Sequence, residues 1–432
     1  MNRQKNIEQS TFRRPTLARH SVAFNIDVPK GIIYGDGGGQ KLGCMSANFR
    51  SPEGGRVTFA IANEALALHT PIPTPDGWTT MGELQAGDMI YGTTGEPVTV
   101  AEAFPVQVGR DCFRVTFLDG TSVIASDGHL WKAKPSGWPK QYNRLWTTRQ
   151  MYEHKAKRWA IPIPGPQQRP ERDLPMDPYL LGYWLGDGST AGCNITVGDE
   201  DLEAFTANMI EIGVTVRPVG TKKGAANRMT FSDKSGFGAD MGGEQARALR
   251  LLPCYRDKHI PEEYFLASID QRIALLQGLL DSDGCAAKPG VIFVGRERLS
   301  RDVFQLLSSL GERPTIAFSA DARSRDGGTW RVSFNPRYVT KCFRLARKQA
   351  KVVRATRTET YIASIEPVES VPVRCIRVDA EDSLFQAGES CQLTHNTHHW
   401  TPGQHGPAFY ELTNNPSKGP GLAAVHEGEH GR

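Results

Sequence analysis

The strongest constraint on the fold is a repeat in the middle of the chain. LLGYWLGDGSTAGCNITVGDEDL, beginning at Leu180, recurs as LLQGLLDSDGCAAKPGVIFVGRERL, beginning at Leu275. Asp187 maps onto Asp283 at an offset of 96. Ile195, Val197, Gly198 and Leu202 map onto Ile292, Val294, Gly295 and Leu299 at an offset of 97, and Ile212-Gly213 maps onto Leu310-Gly311 at 98. Offsets that drift by single residues through loops are what two copies of one supersecondary unit leave behind. Each copy opens with an apolar stretch of helical character, GYWLGDG or GLLDSDG, and continues into β-branched residues. Units of this kind bury their apolar faces against each other.

The flanks read differently. From Ala65 to about Lys134, segments such as EPVTVAEAFPV and CFRVTFLDGTSVIAS alternate apolar and polar residues and are rich in β-branched side chains. The stretch from Tyr361 to Thr394 has the same character. With 44 Gly and 28 Pro in 432 residues, turns are frequent and strands short. The chain is therefore expected to be an all-β unit interrupted by a mixed helix–strand unit. The 51 basic and 47 acidic residues leave a net charge of +4, and 39% of residues are hydrophobic, which excludes a mostly disordered chain, a coiled coil and a collagen. No apolar run approaches the length of a membrane span, and the basic N-terminus has no apolar segment of a secretory signal behind it. Eight cysteines stand singly, without a CxxC pair, so neither a zinc ribbon nor a disulfide framework is indicated and a reduced, cytoplasmic protein is expected.

The repeat carries the first chemistry. Gly182 and Gly278 lack Cβ atoms, so the two helices can approach closely and bring Asp187 and Asp283 together at their C-terminal ends. Two carboxylates that close are costly unless a divalent cation lies between them. Paired carboxylates holding Mg²⁺ are equipment for phosphodiester hydrolysis. Both segments resemble the LAGLIDADG signature of homing endonucleases, at the separation of a single-chain, two-repeat enzyme. The resemblance implies double-stranded DNA as partner, Mg²⁺ as cofactor with Asp187 and Asp283 as metal ligands, and a monomer. Lys258-His259-Ile260-Pro261 resembles the family block with a catalytic lysine, which makes Lys258 a candidate for stabilising developing charge. Nine basic residues from Arg331 to Arg357, with no acid between Asp326 and Glu359, read as a phosphate-contacting surface.

The flanks resemble the splicing blocks of an intein. ALALHTPIPTPDGWTTMGELQAGDMI (65–90) is similar to the first block and TSVIASDGHLW (121–131) to the second; VPVRCIRVDAEDSLFQAG (371–388) and CQLTHNT (391–397) are similar to the last two. The resemblance covers residues 65–396. It departs from the common pattern at the first position, where Ala65 has no nucleophile. Trp131, Cys375 and Thr394 form the marker trio of the class 3 inteins, which lack that nucleophile. The class implies that Cys375 attacks the Glu64 carbonyl, that His129 protonates the departing nitrogen, and that Trp131 and Thr394 orient Cys375. The acyl group then passes to Thr397, Asn396 cyclises with help from His395, and no cofactor is needed for splicing. The histidine that often precedes the block phenylalanine is absent from Asp382-Ser383-Leu384-Phe385, leaving Asp382 as a candidate substitute.

The expected fold is thus mixed: an all-β Hint horseshoe split by an inserted α+β two-repeat LAGLIDADG endonuclease, with short flanking extein segments. The expected boundaries are 1–64 and 397–432 for the flanks, 65–165 and 351–396 for the two splicing parts, and 166–350 for the endonuclease. The flanking joint, RVTFAIANE followed by THHW, resembles the ATPase of a phage terminase large subunit, with Asn63 where a metal-binding Asp is expected and with no phosphate-binding loop. That reading implies a terminase-like fragment and the cytoplasm of a bacterial or phage-infected cell. The alternative is a DNA-packaging ATPase fragment with a non-splicing insert.

Overall fold

A computed structural model describes residues 64–396, except residue 155 and the stretches 221–225, 232–242, 288–289 and 321–326. Ahead of residue 64 it describes only the backbones of four short strands, Ala23–Asp27, Ile32–Asp36, Asn48–Arg50 and Arg56–Thr58. The terminase-like joint and Thr397 lie outside the described residues, apart from the strand Arg56–Thr58.

An antiparallel sheet of eight strands organises the flanks. Its order is Arg144–Thr147, Leu130–Pro135, Trp159–Pro162, Glu359–Val368, Cys112–Phe117, Ser122–Ser126, Leu66–Ala67 and Val373–Arg374. Strands from before residue 165 and after residue 358 therefore share one sheet, the late strands standing fourth and eighth in the order. Glu359–Val368 pairs on one side with Trp159–Pro162 and on the other with Cys112–Phe117. Alternating apolar residues supply the inner face: Phe113, Val115, Phe117, Val123 and Ala125 are buried, while Arg114 between them is exposed. The hairpin Leu384–Ala387/Gln392–His395 carries the last splicing block.

The middle of the chain has its own core, drawn from residues between Met176 and Phe343, whereas the β core draws on Leu66–Ile161 and Ile362–Ala387. At its centre two helices, Pro178–Asp187 and Ile269–Asp283, lie side by side. Asp177 caps the first by accepting from the Leu180 N–H, with Pro178 at the first turn. Ser268 and Gln271 form a reciprocal capping box on the second. A Cβ on Gly182 would lie 2.1 Å from the Leu275 carbonyl oxygen, and one on Gly278 would lie 2.2 Å from that of Tyr179, so only glycine permits this approach. Each helix leads into an antiparallel sheet. The order Asn194–Gly198, Ala226–Thr230, Arg217–Pro218 in the first matches Gly290–Gly295, Gly328–Phe334, Thr315–Ala320 in the second. Among the described residues no helix is long and apolar enough to cross a membrane.

Candidate functional site

Sheet register builds the first site. Leu66 pairs with Ala125 on one side and Arg374 on the other, and Ala67 pairs with Val373. One step back along these antiparallel ladders, Ala65 stands between Ser126 and Cys375. The Ser126 N–H donates to the Ala65 carbonyl at 2.9 Å, and the Ala65 N–H, the nitrogen of the Glu64–Ala65 bond, donates to Ser126 Oγ at 3.3 Å. Ala65 and Cys375 are both fully buried, in one small cluster with Cys112, Phe104 and Val373.

His129 is fully buried beside this bond, and its Nε2 is hydrogen-bonded to Thr394 Oγ1. Burial pulls its pKa down to about 3, against an opposing effect of the Glu64 main chain next to the ring. The imidazole is therefore neutral at physiological pH. Nδ1 has no partner of good hydrogen-bond geometry among the described residues and is left with the Glu64 main chain next to the ring. Trp131 stacks edge-on to His129 at 5.0 Å and donates Nε1–H to Thr148 Oγ1 at 3.0 Å; that hydroxyl in turn donates to the His129 carbonyl at 3.1 Å. The side-chain hydrogen bonds of Trp131 and Thr394 run to Thr148 and His129. Thr148 could not be found from sequence, because its role comes only from the fold: it opens the helix Thr148–His154 just after the strand paired with Leu130–Pro135, where its N–H and hydroxyl both donate to the His129 carbonyl.

The other end of the block array arrives at the same place. His395 Nδ1 lies 2.6 Å from Glu64 Oε2, with both side chains buried. The two junctions are thus held within one hydrogen bond of each other. Asn396 is buried, its N–H donates to the Ser383 carbonyl at 2.8 Å, and neither Oδ1 nor Nδ2 has a partner among the described residues. An unpaired buried amide is costly, and few are tolerated without a function. Asp382 does not take the role of the missing histidine. It is exposed and accepts from Thr93 Oγ1 at 2.6 Å and from the Leu384 N–H at 3.1 Å, because the tight turn at Ser383 (φ 56°) turns it outward.

The second site lies at the C-terminal ends of the two central helices. Burial raises the pKa of Asp187; burial together with the Asp187 charge pushes Asp283 up to about 6. Lys258 donates to the Gly186 carbonyl at 2.7 Å and sits 5.3 Å from the Trp184 ring centroid. Burial pulls Lys258 down to about 8, against the attraction of Asp283 and Asp187. Two partly buried carboxylates that repel each other are a hard-oxygen donor set, and they fit a divalent cation. Among the described residues no group of three or more His, Cys, Asp or Glu side chains could hold a metal, so this pair would share its cation with other oxygens. Asp281 was not singled out by sequence. Its buried carboxylate accepts from Tyr179 Oη at 2.9 Å and from the N–H groups of Arg344 and Leu345, tying both helices to the following segment.

The basic stretch is less available to phosphate than its composition implies. Arg347 makes two hydrogen bonds to Asp201, at 2.6 and 2.5 Å; Lys348 caps the second helix, donating to the carbonyls of Asp281 and Gly284; Arg344 lies over the Tyr179 ring. Their partners come from distant sequence, so no local count of acids reveals them. Arg331, Lys341, Lys351, Arg354 and Arg357 remain exposed.

No family model matches the chain. In sequence the chain is similar to the replicative DNA helicase DnaB of Mycobacterium intracellulare, 32% identical over 370 residues, a match covering 77% of this chain and 58% of the helicase. That share of this chain is as large as residues 65–396 make up. A replicative DNA helicase DnaB of Mycobacterium leprae (strain TN) is 44% identical over 68 residues, 16% of this chain and 11% of the relative. The chain spans little more than half the length of the first relative. Among solved structures it is similar to the MchDnaB-1 intein, at 17% identity and a TM-score of 0.27, covering 77% of this chain and 99% of that one. It is also similar to the homing endonuclease I-DmoI in complex with DNA and Mn, at 18% identity and a TM-score of 0.26, covering 37% of this chain and 88% of that one. Both curated relatives are named as helicases, so the terminase-like reading of the flanks gains no support from them.

Proposed function

We propose that the chain is a self-splicing intein with an inserted homing endonuclease, in which residues 65–396 excise themselves and join Glu64 to Thr397. The observation that carries this is the placement of Ala65 between Ser126 and Cys375, with His129 on the same bond. Cys375 Sγ attacks the Glu64 carbonyl carbon, the C–N bond to Ala65 breaks, and the Ala65 nitrogen takes a proton. The proton that reaches it is the one Cys375 gives up: neutral His129 accepts a proton on its bare ring nitrogen and delivers one to the Ala65 nitrogen, ending neutral again. A thiolate is the strongest nucleophile the chain can offer there, since Ala65 has none. The thioester passes its acyl group to the Thr397 hydroxyl. Asn396 then cyclises, releasing Thr397, and an O-to-N shift completes the peptide bond.

The inserted unit cuts double-stranded DNA. Asp187 and Asp283 would hold Mg²⁺, which when bound stabilises charge on the attacking and leaving oxygens. Lys258, beside the pair and partly depleted of solvent, places a positive charge where phosphate charge develops. The two activities use separate residues.

Mass spectrometry of the purified chain tests the splicing reading. The parent yields a 332-residue and a 100-residue product. Cys375→Ala abolishes ligation and thiol-induced release of residues 1–64, whereas Thr397→Ala traps a thioester that added thiol releases. Splicing of the Cys375→Ala chain at the parental rate would refute the assignment.

A further inference from the structure

We propose that Glu64 is a positioning residue that holds His395 until residues 1–64 have been transferred, so that the downstream bond is not cut before ligation; this rests on the splicing reading above. Three observations carry it. A 2.6 Å hydrogen bond from His395 Nδ1 to Glu64 Oε2 joins the two junctions, between side chains that are 3% and 8% exposed. The side-chain amide of Asn396, the next residue, is buried without a partner among the described residues. And Glu64 is kept in place through the bond to Ala65, whose backbone is pinned on both sides by Ser126.

The chemistry of the downstream cut gives this contact its consequence. Asn396 Nδ2 attacks its own carbonyl carbon, a ring C–N bond forms, and the C–N bond to Thr397 breaks. One proton leaves Nδ2 and one reaches the Thr397 nitrogen. His395 is the adjacent ring able to relay that proton. While its Nδ1–H is donated to Glu64, the ring is turned to the upstream junction. Its hydrogen-bonding site on that edge is occupied. His395 is also fixed through its backbone, paired with Leu384 in the terminal hairpin, so the side chain is what must move. Burial raises the Glu64 pKa, opposed by His395, as expected of a carboxyl that depends on this one partner for its solvation. Attack by Cys375 severs Glu64 from Ala65. The carboxyl then leaves with the acyl group, and His395 is released to serve Asn396. The identity of the residue preceding the excised segment thereby sets the order of the steps.

The test uses the full chain carrying Cys375→Ala, in which residues 1–64 cannot be transferred and only the downstream cut remains. Release of residues 397–432 is followed by mass spectrometry. Adding Glu64→Ala should accelerate release roughly tenfold or more, the factor expected for losing a hydrogen bond to a charged group. Glu64→Gln, which keeps the shape and an acceptor oxygen, should fall between. With Cys375 intact, Glu64→Ala should shift product from ligated to cleaved chains. Release that is unchanged or slower in both Glu64 variants overturns the proposal; slower release would make Glu64 a carboxylate that assists His395. If neither the parent ligates nor any variant releases residues 397–432, the splicing reading itself fails. Asn396→Ala must abolish release in every background.

Discussion

Replacing Gly278 by Ala tests the endonuclease site through its packing. The added methyl would lie 2.2 Å from the Tyr179 carbonyl oxygen and 2.6 Å from the Tyr183 nitrogen. Carbon–oxygen contacts in proteins settle near 3.3 Å, so the two central helices must part by about 1 Å. Overpacking of this kind costs about 1–3 kcal/mol, offset by up to about 1 kcal/mol of better helix propensity. For a unit of this size the net cost lowers Tm by roughly 2–4 °C per kcal/mol. The functional effect is larger than the stability effect, because the two helices carry Asp187 and Asp283 at their ends. A misplacement of about 1 Å in such a site is expected to cost on the order of 100-fold in rate. The assay is Mg²⁺-dependent cleavage of a duplex spanning the codons of Glu64 and Thr397 joined, alongside a thermal melt. Gly198→Ala is the control, since a methyl there meets nothing within 4 Å. A Gly278→Ala protein that cuts and melts like the parent would refute the claim that helix contact sets the carboxylate geometry.

Two further outcomes are expected. The folded-state pKa of His129 is about 3 against its ordinary 6.5, so the unfolded chain binds a proton that the folded chain refuses between those values. This contribution to stability is complete above pH 6.5 and is lost as pH falls toward 3, and His129→Gln should flatten that limb of a denaturation curve measured against pH. Lys258→Gln should slow DNA cleavage by on the order of 10²–10³-fold while splicing, read by mass spectrometry, stays at the parental level; equal loss of both activities would contradict the separation of the two sites.

The sequence by itself was enough for features written in local pattern. Repeat spacing identified the paired halves, glycine at two helix positions implied the close approach, and the absent nucleophile at Ala65 directed attention to Cys375. The shared β character of the two flanks implied one interrupted unit, and the structure showed that their strands share a sheet. What needed the tertiary structure were contacts between residues far apart in the chain. Glu64 meets His395 across 331 positions, Arg347 meets Asp201 across 146, and Thr148 supports His129 from the first turn of the helix Thr148–His154. Asp382, adjacent in sequence to the terminal hairpin, is exposed and bonded to Thr93, 289 positions away. The physical reason is that residue type and periodicity report which face of an element is buried, whereas the partner of a buried charge or amide is decided by how separate elements are brought together, and no local pattern encodes that.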